Sequence, residues 1–152
     1  MGATFDVKIY GTSQVKILAF GVPISKGPGA SGYGPGVFME IEQDGESWIV
    51  VKGADGTLTR CASNEPGTKV SIHLMQTSSS NAVFSAMWNA DIKGTHGEGI
   101  GTFVGTDMQG TSVFESEACW VQGPPKRGYG KEAGELIWEL YCCKVERFDG
   151  GN

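Results

Sequence analysis

Apolar and polar positions alternate along most of this chain, and the alternation predicts short β-strands. Residues 5–10 and 15–19 form the first two runs, separated by Gly11-Thr12-Ser13. Strand patterns return at 37–43, 47–52, 57–62 and 69–77, then at 102–106, 111–122 and 135–148. Turn residues punctuate them. Asp44-Gly45 between 37–43 and 47–52 is a strong hairpin signal, and Gly53-Ala54-Asp55-Gly56 and Asp107-Met108-Gln109-Gly110 supply further turns. Within 69–77, Val70, Ile72 and Leu74 share one face. Strict alternation on 111–122 puts Phe114, Ser116, Ala118 and Trp120 on one face and Glu115, Glu117 and Cys119 on the other. On 135–148 it groups Leu136, Trp138, Leu140 and Cys142 against Glu135, Ile137, Glu139 and Tyr141.

The period changes once. Val83, Phe84, Met87 and Trp88 fall on one stripe of a helix spanning about residues 80–91. Ser79 or Ser80 is positioned to cap its amides, and Lys93-Gly94 to stop it. Asn81, Ser85, Asn89 and Asp91 are expected on the side away from that stripe. Three turns are too few for a helix to stand alone in water, so the stripe must pack on the sheet. It carries no histidine or carboxylate pair at i, i+4, which makes it a strut. Two glycine-rich loops complete the layout, KGPGASGYGPG at 26–36 and the segment 94–101. The GEGIG run in the second follows a helix and precedes a strand, the wrong order for a nucleotide-binding turn. The expected architecture is a single domain over residues 1–152, an antiparallel β-sandwich or barrel with one flanking α-helix and a short C-terminal tail.

Composition narrows the function. The 24 glycines among 152 residues have no strict period, which excludes collagen and agrees with many tight turns. A net charge of −5 argues against a protein that wraps nucleic-acid phosphates. Cys61, Cys119, Cys142 and Cys143 show no CxxC spacing, and His73 and His96 lie apart, so no zinc site is expected; four buried, reduced thiols are. The N-terminal stretch has no signal-peptide pattern, Asp6 stands where myristoylation needs Ser or Thr, and no apolar run is long enough to span a bilayer. Paired strand acids such as Glu40 and Glu42 or Glu115 and Glu117 read as solvated faces rather than as a glycosidase pair. His73 reads as a satisfied surface or interface histidine, and the basic cluster Lys126, Arg127 and Lys131 fits a loop pairing with an acidic neighbouring subunit as well as it fits a nucleic-acid contact. No catalytic residue, metal or cofactor is expected. Sheet edges and long loops without a catalytic constellation favour assembly.

The run VSIHLMQTSSSNAVFSAMWNAD, the following GEGIG, and TDMQGTSVFESEACWVQGPPKRGYGKEAGELIWELYCC with its terminal GGN resemble the small tail tube proteins of contractile-tailed bacteriophages. The resemblance covers most of the chain in order and is looser in the N-terminal third. It implies a β-sandwich with a flanking helix whose copies form hexameric rings. These rings stack into a hollow tube inside a sheath, and the tube conducts genomic DNA when the sheath contracts. Partners would be further copies, the sheath protein, and initiator or baseplate and terminator at the tube ends. The virion tail would be its location, after folding and assembly in the host cytoplasm. An acidic lumen would let DNA slide without sticking, which nominates Glu115 and Glu117, then Glu40 and Glu42, as lumen-facing acids. Lys26, Tyr33, Asp44, Lys126 and Arg127 are nominated as inter-ring or inter-subunit contacts. A tailocin or type VI-like secretion tube carrying no DNA, and a monomeric small-ligand-binding β-barrel, are the alternatives.

Overall fold

β-Branched and aromatic residues that alternate with polar ones fit a pleated surface with one side buried. In the computed structural model, which describes residues 15–24, 38–63, 66–107, 110–132 and 134–150, such segments form nine strands beside one helix. In chain order these are β1 (Val15–Ala19), β2 (Val22–Pro23), β3 (Met39–Gln43), β4 (Trp48–Lys52), β5 (Leu58–Ala62) and β6 (Thr68–Met75). Helix α1 (Asn81–Lys93) follows, then β7 (Gly101–Asp107), β8 (Val113–Gly123) and β9 (Glu135–Phe148). Seven strands make one antiparallel sheet in the order β2-β1-β7-β8-β9-β6-β3, and β4 and β5 pair with each other as a separate two-stranded ribbon. The mainly β, antiparallel class with one flanking helix is therefore as expected. The expected strand at 5–10 and the loop at 26–36 lie outside the described residues.

The sheet curls around its own apolar face. Ile17, Val70, Ile72, Leu74, Phe103 and Leu140 point inward and are at most 1% exposed. Met39 on edge strand β3 reaches across to Gly105 of β7, where an added Cβ would already touch its methyl at 3.6 Å. Helix α1 closes the flank with Phe84, whose ring lies 5.5 Å from that of Trp138 and 6.3 Å from Phe20, edge-on to the latter. Val83 and Trp88 pack half-buried beside it. Gly99 lets the chain after the helix fold back, since a side chain there would run into Asp91 and the Met87 carbonyl. Close packing therefore accounts for that glycine.

Three local expectations need correction. On β8 the register with β7 slips by one: Phe103 faces Ser116, but Gly101 faces Cys119. One extra residue on a strand is a β-bulge, and it reverses which face the later side chains take. Phe114 and Ser116 point inward, then Cys119 and Val121 do, while Trp120 turns out and stacks 5.3 Å from Tyr141. Cys119 therefore does not share a face with Glu115 and Glu117, and Trp120 does not share one with Phe114. Across the bulge Lys144 of β9 takes φ 50, and the Ser116 hydroxyl lies 2.7 Å from the Cys143 carbonyl and 3.1 Å from that of Ala118.

The second correction concerns the helix start. Neither Ser79 nor Ser80 makes a side-chain cap; Ser80 stands at the N-cap without such a bond. Asn81, expected on the outer side, is 8% exposed and bonds in both directions. Its Nδ2 donates to the carbonyls of Ser78 (2.9 Å) and Met75 (3.0 Å), and its Oδ1 accepts from Trp138 Nε1 at 2.8 Å. One amide thus ties strand end, helix start and core indole together. The third correction is to the thiols: Cys119 and Cys142 are buried, but Cys61 is exposed and Cys143 half-buried.

Asn81→Ala leaves the Trp138 N–H and two carbonyls without this partner. We expect it to destabilise the fold by about 2–4 kcal/mol, read from denaturant unfolding, because each unsatisfied buried group costs on the order of 1–3 kcal/mol.

Candidate assembly surface

The chain leaves the main sheet at Asp44-Gly45. This pair was expected to join residues 37–43 and 47–52 as a hairpin, and it does not: β3 pairs with β6, while β4 turns away to pair with β5. Gly45 (φ 103) and a Gln43 side chain bonded to Gly45 O (2.9 Å) and Ser47 Oγ (3.1 Å) shape the corner. The true hairpin closes at Gly53–Gly56, where Gly53 N–H bonds Thr57 O at 2.7 Å and Gly56 takes φ 90. Asp55 Oδ1 accepts from Thr57 N–H at 3.0 Å, and that bond holds the Asp55 carboxyl below its ordinary range.

The resulting arm carries apolar residues on both faces and buries neither. Register places Ile49, Val51, Thr59 and Cys61 on one side and Trp48, Val50, Leu58 and Arg60 on the other. Ile49 is 54% exposed, Val50 61%, Val51 52% and Leu58 63%, and the Arg60 guanidinium sits 3.8 Å over the Trp48 ring. A run such as WIVVK is the pattern of a strand covered on both sides. Two strands alone are marginal in water. Covering the exposed halves of Trp48, Ile49, Val50, Val51 and Leu58 would contribute roughly 4–7 kcal/mol before association costs.

The root of the arm is firm. Asp44 N–H bonds Gly67 O (2.7 Å), and Ser63 N–H bonds Ser47 O (2.9 Å). The Asp44 carboxylate accepts from Tyr141 OH at 3.1 Å and lies 3.7 Å from Lys69 Nζ. Burial and then this bond to Asp44 raise the Tyr141 hydroxyl above its ordinary range. Asp44 is therefore engaged by its own chain and anchors the arm.

The four nominated acids are all exposed, on the face turned away from the core. They form two groups. Glu40 and Glu42 of β3 border an open depression of about 500 Å³ with Asp44, Ser71, Glu139 and Tyr141. Glu115 lies at the other end of β8, directly opposite Glu146 of β9. Glu139 and Glu146 were not singled out from sequence; only strand register brings them beside the nominated acids. Like charges directly opposite each other disfavour a sheet, so Glu115 and Glu146 are kept against a local cost. His73 spans three strands, with Nδ1 2.7 Å from Glu135 Oε1 and Nε2 3.7 Å from Glu40 Oε1, a satisfied position. Lys126 and Arg127 are exposed after Pro124-Pro125, Arg127 lying 3.4 Å from the hydroxyl of an 80%-exposed Tyr129. Lys26 and Tyr33 lie outside the described residues. Among the described residues no three His, Cys, Asp or Glu side chains are grouped to hold a metal, and no helix is long and apolar enough to cross a membrane.

Comparison with known proteins places this surface in context. Over 143 residues the chain is 22% identical to a structural protein, ORF10, of Pseudomonas phage KPP10, covering 94% of this chain and 83% of that protein. In fold it is similar to the tube-terminating cap of the anti-feeding prophage, with a TM-score of 0.50 at 8% identity over 97% of this chain and 94% of the cap. No protein-family model matches the chain. Both similarities run almost end to end, so the arm and the acidic face lie within the matched span.

Because the arm buries so little of itself, Val50→Ala or Leu58→Ala should change the unfolding free energy of the monomer by less than about 0.5 kcal/mol. Ile72→Ala in the core should cost about 2–5 kcal/mol in the same denaturant titration.

Proposed function

We propose that this chain is a structural subunit of a phage-type tail that assembles with copies of itself into hexameric rings stacked as a hollow tube. The observation that carries this reading is the β4–β5 arm: a rooted, two-faced apolar ribbon that its own chain leaves open. Its strands carry Lys52 and Arg60 and no acid, whereas the chain as a whole is net −5. A second copy therefore offers both apolar cover and opposite charge. Similarity to a phage structural protein over most of both chains supports the same class of role. In this reading the sheath surrounds the tube, and an initiator and a terminator close its ends. DNA in transit meets an acidic wall to which Glu115, Glu117, Glu40 and Glu42 contribute.

The likeness to a tube-terminating cap favours a second reading, in which copies form one ring at a tube end and do not stack. A tailocin or secretion tube would share the geometry without DNA. A ligand-binding barrel would need an apolar interior cavity, whereas Ile17, Val70, Ile72, Leu74, Phe103 and Leu140 crowd the inner face at no more than 1% exposure.

Negative-stain electron microscopy and sedimentation across a concentration series test the reading. We expect rings with an open centre that stack as concentration rises, and a folded monomer when Val50 and Leu58 are both replaced by Asp. Assembly of that variant like the wild type would overturn the arm's role, and rings that never stack would favour the cap. Replacing Glu115 and Glu117 by Lys should leave tubes intact and slow DNA ejection, whereas normal ejection would count against those lumen positions.

A further inference from the structure

A pair of thiols in the core has no part in the assembly reading. Cys119 of β8 and Cys142 of β9 are directly opposite in register, both 0% exposed, with their sulfur atoms hydrogen-bonded at 3.2 Å. We propose that Cys119 and Cys142 form a modification site, a latent disulfide that an oxidant of the disulfide or peroxide class closes across β8 and β9.

The geometry meets the requirements of such a bond. Directly opposed residues on antiparallel strands have Cα atoms about 4.5–5.5 Å apart, inside the range of about 4.4–6.8 Å that disulfides span. The bulge makes this possible: under strict alternation Cys119 would face outward with Glu115 and Glu117, away from Cys142. Neither remaining cysteine competes. Cys143 follows Cys142 and is turned toward the other face, and Cys61 sits exposed on the arm. The two sulfurs also differ in chemistry. The hydrogen bond shared with Cys119 pulls Cys142 down against the effect of burial. Cys119 is held in its thiol form by its bond to Cys142 and by burial. Cys142 is accordingly the attacking sulfur.

With oxidised glutathione, the Cys142 thiolate attacks one glutathione sulfur and expels the other glutathione as thiolate. Cys119 then attacks Cys142 of the mixed disulfide, releases the second glutathione and gives up its proton. Two protein thiols are oxidised by two electrons, and one glutathione disulfide is reduced to two glutathione thiols. Burial means that exchange waits for β8 and β9 to part locally, so closure is slow in the folded protein. A cytoplasm keeps the pair reduced, and an oxidising medium closes it.

The test uses the Cys61→Ser, Cys143→Ser chain, which retains only the proposed pair and loses no fully buried residue. The protein is brought to equilibrium in oxidised glutathione from both directions, as folded protein and by refolding from denaturant in the same buffer. Free thiols are then alkylated under denaturing conditions and counted by intact mass. We expect no alkylated thiol, a mass lower by two hydrogens and a monomer on a non-reducing gel. The unfolding midpoint should rise by about 5–10 °C and fall back on reduction. Two alkylated thiols from both directions, a glutathione adduct that never closes, a bond found only between chains, or a lower midpoint on oxidation would each overturn the proposal.

Discussion

A single curled sheet can bury only one face, and in this chain that face is sealed at its flank by Phe84 lying against Trp138. The contact holds because Asn81, one turn earlier in the helix, accepts the indole N–H of the same Trp138 and donates to the strand end that precedes it. Apolar packing and a buried polar bond thus fix one helix in one orientation. Everything else in the fold follows from which surfaces that arrangement uses up. The inward positions of β6, β8 and β9 are spent on the core. Among the charged residues on their outward positions acids outnumber bases, while Ile137 and Phe148 are exposed there too. The β3 edge and the β4–β5 arm are left without cover from the described residues of their own chain.

That remainder is what relates the fold to a role. The depression of about 500 Å³ beside β3 is mixed in character, with the carboxylates Glu40, Glu42, Asp44 and Glu139 beside Lys69, Ile41 and Leu140. The arm is the opposite case, apolar on both sides, solvent-exposed, and rooted through Asp44, Tyr141 and Gly67. A firm root with an open blade suits a part that must arrive at a neighbour in a set direction. In the proposed function that neighbour is another copy of the same chain.

Much of this was legible in the sequence, and the failures have physical causes. Period-two alternation located β1, β3 and β6–β9, and the stripe Val83-Phe84-Met87-Trp88 located the helix, because both patterns record burial directly; β4 and β5 were located by the turn residues that bound them. Alternation failed on β8 because a bulge adds a residue without leaving a mark in composition, so Cys119 and Trp120 were placed on the wrong faces. Asp44-Gly45 was misread because a turn signal says that the chain bends, not which strands then pair. The arm did carry a signal, since WIVVK is apolar without alternation, yet that pattern describes a strand whose second cover comes from elsewhere. Asn81 was missed because a polar residue beside an apolar stripe ordinarily faces water; its three buried partners come from β6, the turn after it and β9. The four nominated acids are exposed, and their division into two groups depends on strand register, which no single run of residues encodes.

In the proposed function the arm's missing cover is a second copy of this chain. Amide hydrogen exchange measured as a function of protein concentration tests it most directly. Amides of β4 and β5 should exchange rapidly in dilute monomer while those of β6, β8 and β9 are protected, and protection of β4 and β5 should appear with self-association. Protection of β4 and β5 already in the monomer, or assembly in which they stay unprotected, would contradict it.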